Sequence, residues 1–346
     1  MSFLNLRKCI KVSTALVLLL KFQVVSAQVD TALLSSMLTK NKKAIGDDAV
    51  MMVWKDGKPI YKKELGDMKA STAAPIASAS KWLTAAVVLM LVDEGKLSLD
   101  DKVVDYIPLF GKYNKSYITI RHCLTHQTGI EADRGLRALI QRSKYENLEA
   151  EVNDFASKRD IVENAGEAFR YSGVGLNIAA RICEIVTKKP FDRIAQEKLF
   201  RPLGMKQTSF SNESGVGAPN PSGGARSTAD DYGKFLNMII AGGTVNGRKF
   251  LSTESIALMK SVQVEAGKMK FAPANASGFS YGLGVWLQET DEKGNGIVIS
   301  SPGLFGTWPI IDFKKKYAAI IFTKDLLNEE KKDLYLQLFS LVSEGL

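Results

Sequence analysis

The chain has 346 residues, with 46 Lys and Arg against 37 Asp and Glu, a formal net charge of +9, and 45% hydrophobic residues. That length and apolar content can bury a large core as one big domain or two lobes, and neither an internal repeat nor a low-complexity linker interrupts it. The basic excess is mild and unclustered, which gives no case for a nucleic-acid partner.

The first 27 residues combine Arg7, Lys8 and Lys11 with an apolar run from Val12 to Leu20, and end in Val25-Ser26-Ala27. A basic start, a short apolar segment and small residues before Gln28 form the pattern of a secretory signal, so a periplasmic or secreted protein is expected. Cleavage there would remove four basic residues and no acids, leaving residues 28–346 as one domain with a formal charge of +5. Cys9 would leave with the segment. Cys123 and Cys183 lie in apolar helical contexts and read as buried thiols more readily than as a disulfide. No other stretch is long enough to cross a bilayer, so no stable membrane insertion is expected after cleavage.

Val29 to Lys43 places Leu33, Leu34, Met37 and Leu38 on one face of a surface helix. Ala49 to Trp54 and Pro59 to Leu65 flank Asp56-Gly57, a hairpin signal. Ser78 to Gly95 reads as a single helix closed by its glycine. Almost every residue from Trp82 to Val92 is apolar, so this helix belongs inside the protein, and its apolar length of about 16 Å is too short to span a membrane. A short helix around Arg121 to Thr125 ends in His126-Gln127-Thr128-Gly129, a tight turn. The stretch from about Ala132 to Met259 is mostly helical by period. Within it Tyr171-Ser172-Gly173 precedes the apolar run Leu176 to Val186, Ser211 to Ser227 reads as a long surface loop, and Ser227 caps a helix through Ile240. Strand patterns return in Tyr281 to Gln288, Ile297 to Ser301, Trp308 to Phe313 and Tyr317 to Thr323, before a last helix from Asn328 to Val342. The expectation is an α/β (α+β) fold. One antiparallel sheet is built from about 28–75 and 279–346 and flanked by the terminal helices, a mostly helical lobe spans about 76–278, and the active site lies in the cleft between.

Ser78-Ala79-Ser80-Lys81 opens the buried helix. Residues three apart share a helix face, which brings the Lys81 amine within reach of the Ser78 hydroxyl. A serine is a poor nucleophile until a base takes its proton, and a lysine whose pKa is lowered by burial can be that base. The helix N-terminus adds N–H groups and partial positive charge that favour an oxyanion. Taken alone, the same four residues also read as a helix cap with a solvated lysine.

Further along, Tyr171-Ser172-Gly173 and Ser301-Pro302-Gly303 stand where the serine β-lactamase and penicillin-binding-protein superfamily carries its second and third motifs. Asp93 to Asp101, Ile118 to His126, Phe200-Arg201-Pro202-Leu203-Gly204-Met205 and Gly223 to Ala229 also resemble signatures of the class C β-lactamase and family VIII esterase branch, in family order. The resemblance implies a β-lactamase/transpeptidase-like fold. It makes Ser78 the acylated nucleophile, Lys81 its amine partner, and Tyr171 a second base and acid whose phenol deprotonates more easily beside a lysine cation. It also makes the backbone N–H groups of Ser78 and Leu304 the oxyanion hole, with Gly173, Ser301 and Gly303 at the substrate. On spacing alone, Tyr171 reads more readily as a half-buried aromatic.

Two departures bear on substrate. The second motif usually ends in Asn, which binds the substrate amide, and here it ends in Gly173; the third usually begins with Lys, and here it begins with Ser301. Loss of that cation weakens carboxylate substrates by roughly ten- to a hundredfold and leaves a neutral ester untouched. A small-molecule ester, amide or peptide is therefore the expected substrate, with ester cleavage foremost. β-Lactamase or D-alanyl-D-alanine carboxypeptidase activity and a non-catalytic sensor or binding module stand as alternatives, and Arg226 is a candidate replacement for the missing cation. Asn177 is expected to bond locally. Phe305, Trp308 and Phe279-Ser280-Tyr281 line either an apolar pocket or the core. His122 and His126 lie four apart with no third ligand near, so neither metal nor organic cofactor is expected.

Overall fold

A computed structural model of the protein describes residues 29–132, 144–211 and 217–346. The expected signal segment with Cys9 lies outside these residues, as do parts of the predicted helical middle and of the Ser211 to Ser227 loop.

Asp30 caps helix α1 (Thr31–Lys40) by accepting the Leu33 N–H; Leu34 and Leu38 turn inward and Leu33 stays exposed. Strands β1 (Ala49–Lys55) and β2 (Lys58–Leu65) form the expected hairpin, with both Asp56 and Gly57 at positive φ. The two-residue strand β3 (Ala74–Pro75) leads to a short 3₁₀ turn at Ala77–Ala79 and then to α2 (Ser80–Asp93). The predicted helix thus starts later than expected: Ser78 and Ala79 belong to the 3₁₀ turn, and Ala77 just before them sits at φ +44°, a left-handed conformation that keeps the helix from extending further back. The helical lobe follows with α3 (Ile120–Leu124), α4 (Leu148–Lys158), β4 (Phe169–Arg170), α5 (Val174–Thr187), β5 (Arg226–Ser227) and α6 (Ala229–Ile240). Thr228, one residue later than predicted, caps α6 by accepting the Asp231 N–H.

The chain then returns to strands: β6 (Met269–Phe271), β7 (Ser280–Tyr281), β8 (Trp286–Thr290), β9 (Gly296–Ser300), β10 (Trp308–Asp312) and β11 (Tyr317–Thr323), ending in α7 (Glu329–Glu344). The predicted strand from Tyr281 to Gln288 is broken by a turn in which the Gly282 N–H meets Val285 O. Seven strands make one antiparallel sheet in the order β2-β1-β11-β10-β9-β8-β7, so the two ends of the chain meet at the β1–β11 pairing.

Alternation along the central strands explains the layers. Val50, Met52 and Trp54 on β1, with Ala318, Ile320 and Phe322 on β11, belong to the core shared with the helical lobe. Ala49, Met51 and Val53, with Tyr317, Ala319 and Ile321, belong to the core under the terminal helices. Since both faces are covered, β11 is buried at every residue. Among the described residues, no helix is long and apolar enough to cross a membrane. The end of β9 meets the 3₁₀ turn before α2 through Ser301 and Ser78, and that contact builds the site.

Candidate active site

Ser78 sits at the tip of the 3₁₀ turn, half-buried, on a backbone anchored by the Ile76 N–H to Ala225 O at 3.0 Å and the Ala79 N–H to Ile76 O at 3.1 Å. Left-handed Ala77 stands just before it, a conformation that only a well-packed surround sustains. One turn into α2, Lys81 is 3% exposed. Its Nζ lies 3.2 Å from Ser78 Oγ, 2.7 Å from Ser222 O and 4.6 Å from the centre of the Tyr171 ring. Burial pushes the amine down to about 7. Burial thus favours the neutral amine, held on the serine whose proton it would accept.

Tyr171 follows β4, buried among His126, Trp286 and Tyr281 with ring centroids 4.5, 5.3 and 6.4 Å away. Burial raises the Tyr171 phenol above its ordinary value, and its hydrogen bonds to the Ser78 and Trp286 side chains offset only part of that. The expected easy deprotonation is therefore reversed. Tyr171 is a protonated phenol at working pH, able to pass a proton, and Lys81 is the group poised to take one. His126 is placed by a left-handed turn at φ +56°. Its Nδ1 accepts the Ser172 N–H at 3.3 Å, so Nε2 carries the proton and donates to the Tyr281 hydroxyl at 3.0 Å. Burial and the nearby Lys81 hold this imidazole well below the usual range, so it stays neutral and positions the Tyr171 segment.

The end of β9 closes the other side. Ser301 Oγ donates to the Ser78 carbonyl at 3.2 Å. Its hydroxyl thus holds the nucleophile turn, a task set by contact rather than by charge. Gly303 must be glycine: a Cβ there would lie 2.3 Å from Ile76 O. That close approach brings the Leu304 segment to the turn, shaped by the Gly303 N–H to Thr307 O at 2.7 Å and the Gly306 N–H to Gly303 O at 3.0 Å. Among the described residues, neither the Ser78 nor the Leu304 N–H donates to a turn or loop carbonyl, which suits the expected oxyanion pair. Arg226, the candidate replacement cation, donates to Ala73 O at 3.2 Å. Trp308 and Tyr281 are core residues, 0% and 1% exposed.

Gly173 has a steric reason. A Cβ there would lie 2.6 Å from Ser222 Oγ, so the room that a side chain would fill is taken by the Ser222 loop. The predicted surface loop is accordingly corrected: its later part, with Ser222, Ala225 and Ser227, is buried and forms a wall of the site. Asn177 is corrected as well. It reaches across to this loop, accepting the Ser222 N–H at 3.1 Å, while its Nδ2 donates to Glu151 Oε2 at 3.1 Å. Ser222, Asn220 and Thr84 were not singled out from sequence. Asn-Pro-Ser-Gly-Gly reads only as a turn, and nothing local signals that it reaches a lysine 141 residues away. Cys123 and Cys183 are buried free thiols. His122 Nδ1 accepts the Thr119 N–H as part of a cap, and among the described residues no three His, Cys, Asp or Glu side chains gather as a metal site.

A family profile described as Beta-lactamase matches residues 42–341. A candidate beta-lactamase from Bacteroides dorei DSM 17855 superposes with a TM-score of 0.81 at 30% identity, covering 92% of this chain and 99% of that one. Protein Rv1367c of Mycobacterium tuberculosis is 26% identical over 332 residues, covering 75% of this chain and 81% of its own. EstCE1, a hydrolase with promiscuous acyltransferase activity, shares the fold at TM-score 0.73 and 18% identity, covering 90% of this chain and 100% of that one.

Proposed function

Because this chain belongs to the beta-lactamase family, with the serine β-lactamase and penicillin-binding-protein fold, we propose that it is an exported serine hydrolase that cleaves small esters through an acyl-enzyme on Ser78. The observation that carries the reading is the buried Lys81 amine at about 7, 3.2 Å from Ser78 Oγ and without an ion-pair partner among the described residues. In the proposed course, neutral Lys81 takes the Ser78 proton as Oγ adds to the substrate carbonyl, and the N–H groups of Ser78 and Leu304 hold the oxyanion. The protonated Tyr171 phenol hands its proton to the leaving alcohol and is reprotonated by the Lys81 ammonium. Water then enters, loses its proton to the same pair and releases the acid, which returns Ser78 to its hydroxyl form. No step needs a metal or an organic cofactor.

Substrate choice follows from the walls. Ser301 offers a hydroxyl already bonded to Ser78 O, where a lysine would offer a cation, and Gly173 offers no side-chain amide. Both features favour neutral esters over β-lactams and peptides, whose carboxylate and amide would meet neither partner. The resemblance to the Bacteroides dorei protein makes β-lactam hydrolysis the second reading. Steady-state turnover of a short-chain p-nitrophenyl ester and a chromogenic cephalosporin, side by side, separates the two. Ester turnover that disappears in Ser78→Ala, with cephalosporin cleavage at least tenfold slower, is the expected result, in keeping with the lost carboxylate contact. Fast cephalosporin turnover would establish the second reading, and activity that persists in Ser78→Ala would remove the serine from the chemistry.

A further inference from the structure

The Lys81 amine faces a backbone carbonyl, Ser222 O at 2.7 Å, and that carbonyl belongs to a loop 141 residues away in sequence. A peptide delivered from so far must be held on all sides to keep its geometry within the tolerance catalysis demands. Three side chains hold Ser222 and the peptide before it. Thr84 Oγ1 on α2 donates to Pro221 O at 2.7 Å. Asn220 Oδ1 accepts from Ser222 Oγ at 2.7 Å and from its N–H at 3.2 Å, a local turn. The third comes from another element: Asn177 Oδ1 on α5, one turn beyond Gly173, accepts the same Ser222 N–H at 3.1 Å.

The orientation of that amide is itself fixed. Asn177 is 4% exposed, and its Nδ2 donates to Glu151 Oε2 on α4, which leaves Oδ1 as the atom facing Ser222. We propose that Asn177 is a positioning residue for the catalytic base: by accepting the Ser222 N–H it pins the Pro221–Ser222 peptide and so restrains Ser222, whose own carbonyl meets Lys81 Nζ, so that the amine's lone pair is left facing Ser78. This rests on Lys81 serving as the base. The chain Glu151, Asn177, Ser222, Lys81 runs from the helical lobe to the nucleophile, and the space it occupies is the space that Gly173 leaves open.

The titratable groups around Lys81 are Tyr171 after β4, His126 after α3 and Tyr281 on β7, with Glu151 behind Asn177, where burial pushes its carboxyl up to about 7. Of these only Glu151 touches Asn177: its carboxyl loses the Nδ2 bond and shifts up further in the variant, so Glu151→Gln is titrated beside it to separate that effect from the carbonyl. A carbonyl that accepts from the ammonium favours its charged form, and losing that bond lowers the amine's pKa.

The test is a ¹³C-lysine NMR titration of the purified protein, where a midpoint near neutrality stands apart from that of an ordinary solvated lysine at about 10.4, assigned by its loss in Lys81→Met. Asn177→Leu and the smaller Asn177→Ala are compared with the original protein. The expected result is a Lys81 midpoint lowered by roughly one unit. Ester kcat on the high-pH plateau should fall about tenfold with KM little changed. A folded variant whose midpoint and kcat are both unmoved overturns the proposal. So does a midpoint that rises toward that of a solvated lysine, or a kcat loss with no midpoint change, which is what a structural role alone would give. The two readings separate cleanly: unmoved midpoints in a protein with full ester turnover contradict the positioning role, whereas lowered midpoints in a protein that never acylates contradict the hydrolase reading.

Discussion

Burial alone brings Lys81 to about 7, and a base near the working pH is the most efficient proton acceptor. The same burial keeps Tyr171 protonated, so in the proposed course the two groups divide the labour as base and proton donor. At Gly173 the proposed specificity meets a steric limit. Its φ of −85° is open to any residue, so the glycine is required by its neighbour Ser222 rather than by its backbone. Restoring the family's usual amide with Gly173→Asn is therefore expected to push Ser222 away from Lys81. Ester kcat should drop about tenfold with no gain on cephalosporins, measured in the same paired assay. The Ser78 and Lys81 pairing was legible in the sequence because three residues on a helix are a fixed distance. The role of Asn177 was not, because its partner is 45 residues off and only tertiary packing brings it near.

At the scale of elements, the site is a meeting of the 3₁₀ turn before α2 with the end of β9. Ser301 Oγ bonds Ser78 O, and Gly303 passes so close to Ile76 O that a methyl group has no room. Gly303→Ala is expected to spread the two apart. That should lower the melting temperature and cut ester kcat by about a hundredfold, the usual cost of misplacing one oxyanion donor, as read by thermal unfolding and steady-state kinetics. Most elements were legible: the hairpin from Asp-Gly, the buried helix from its unbroken apolar run, the late strands from β-branched runs between turns. Departures fall where backbone conformation outweighs composition. Ser78 and Ala79 form a 3₁₀ turn behind left-handed Ala77 where a continuous α-helix was expected, and the loop holding Ser222, rich in turn residues, is buried because its carbonyls find donors in Lys81 and Thr84.

Across the whole molecule, a sheet buried on both faces joins the two ends of the chain, and period-two alternation sends one set of side chains to each of two cores. That arrangement was readable because strands at both termini flanked a helical middle. The cleft's interior was not, since a wall made of backbone carbonyls leaves no side-chain pattern. The protein's chemistry then rests on one claim, that a neutral Lys81 deprotonates Ser78. The most direct measurement is the rapid-mixing burst of p-nitrophenolate, which reports acylation, across roughly pH 5 to 9. Because the amine must be unprotonated to act, the rate constant should rise with pH through a single midpoint near 7 and level off, and the burst should vanish in Lys81→Met. A burst that is independent of pH, or that survives intact in Lys81→Met, would contradict the account.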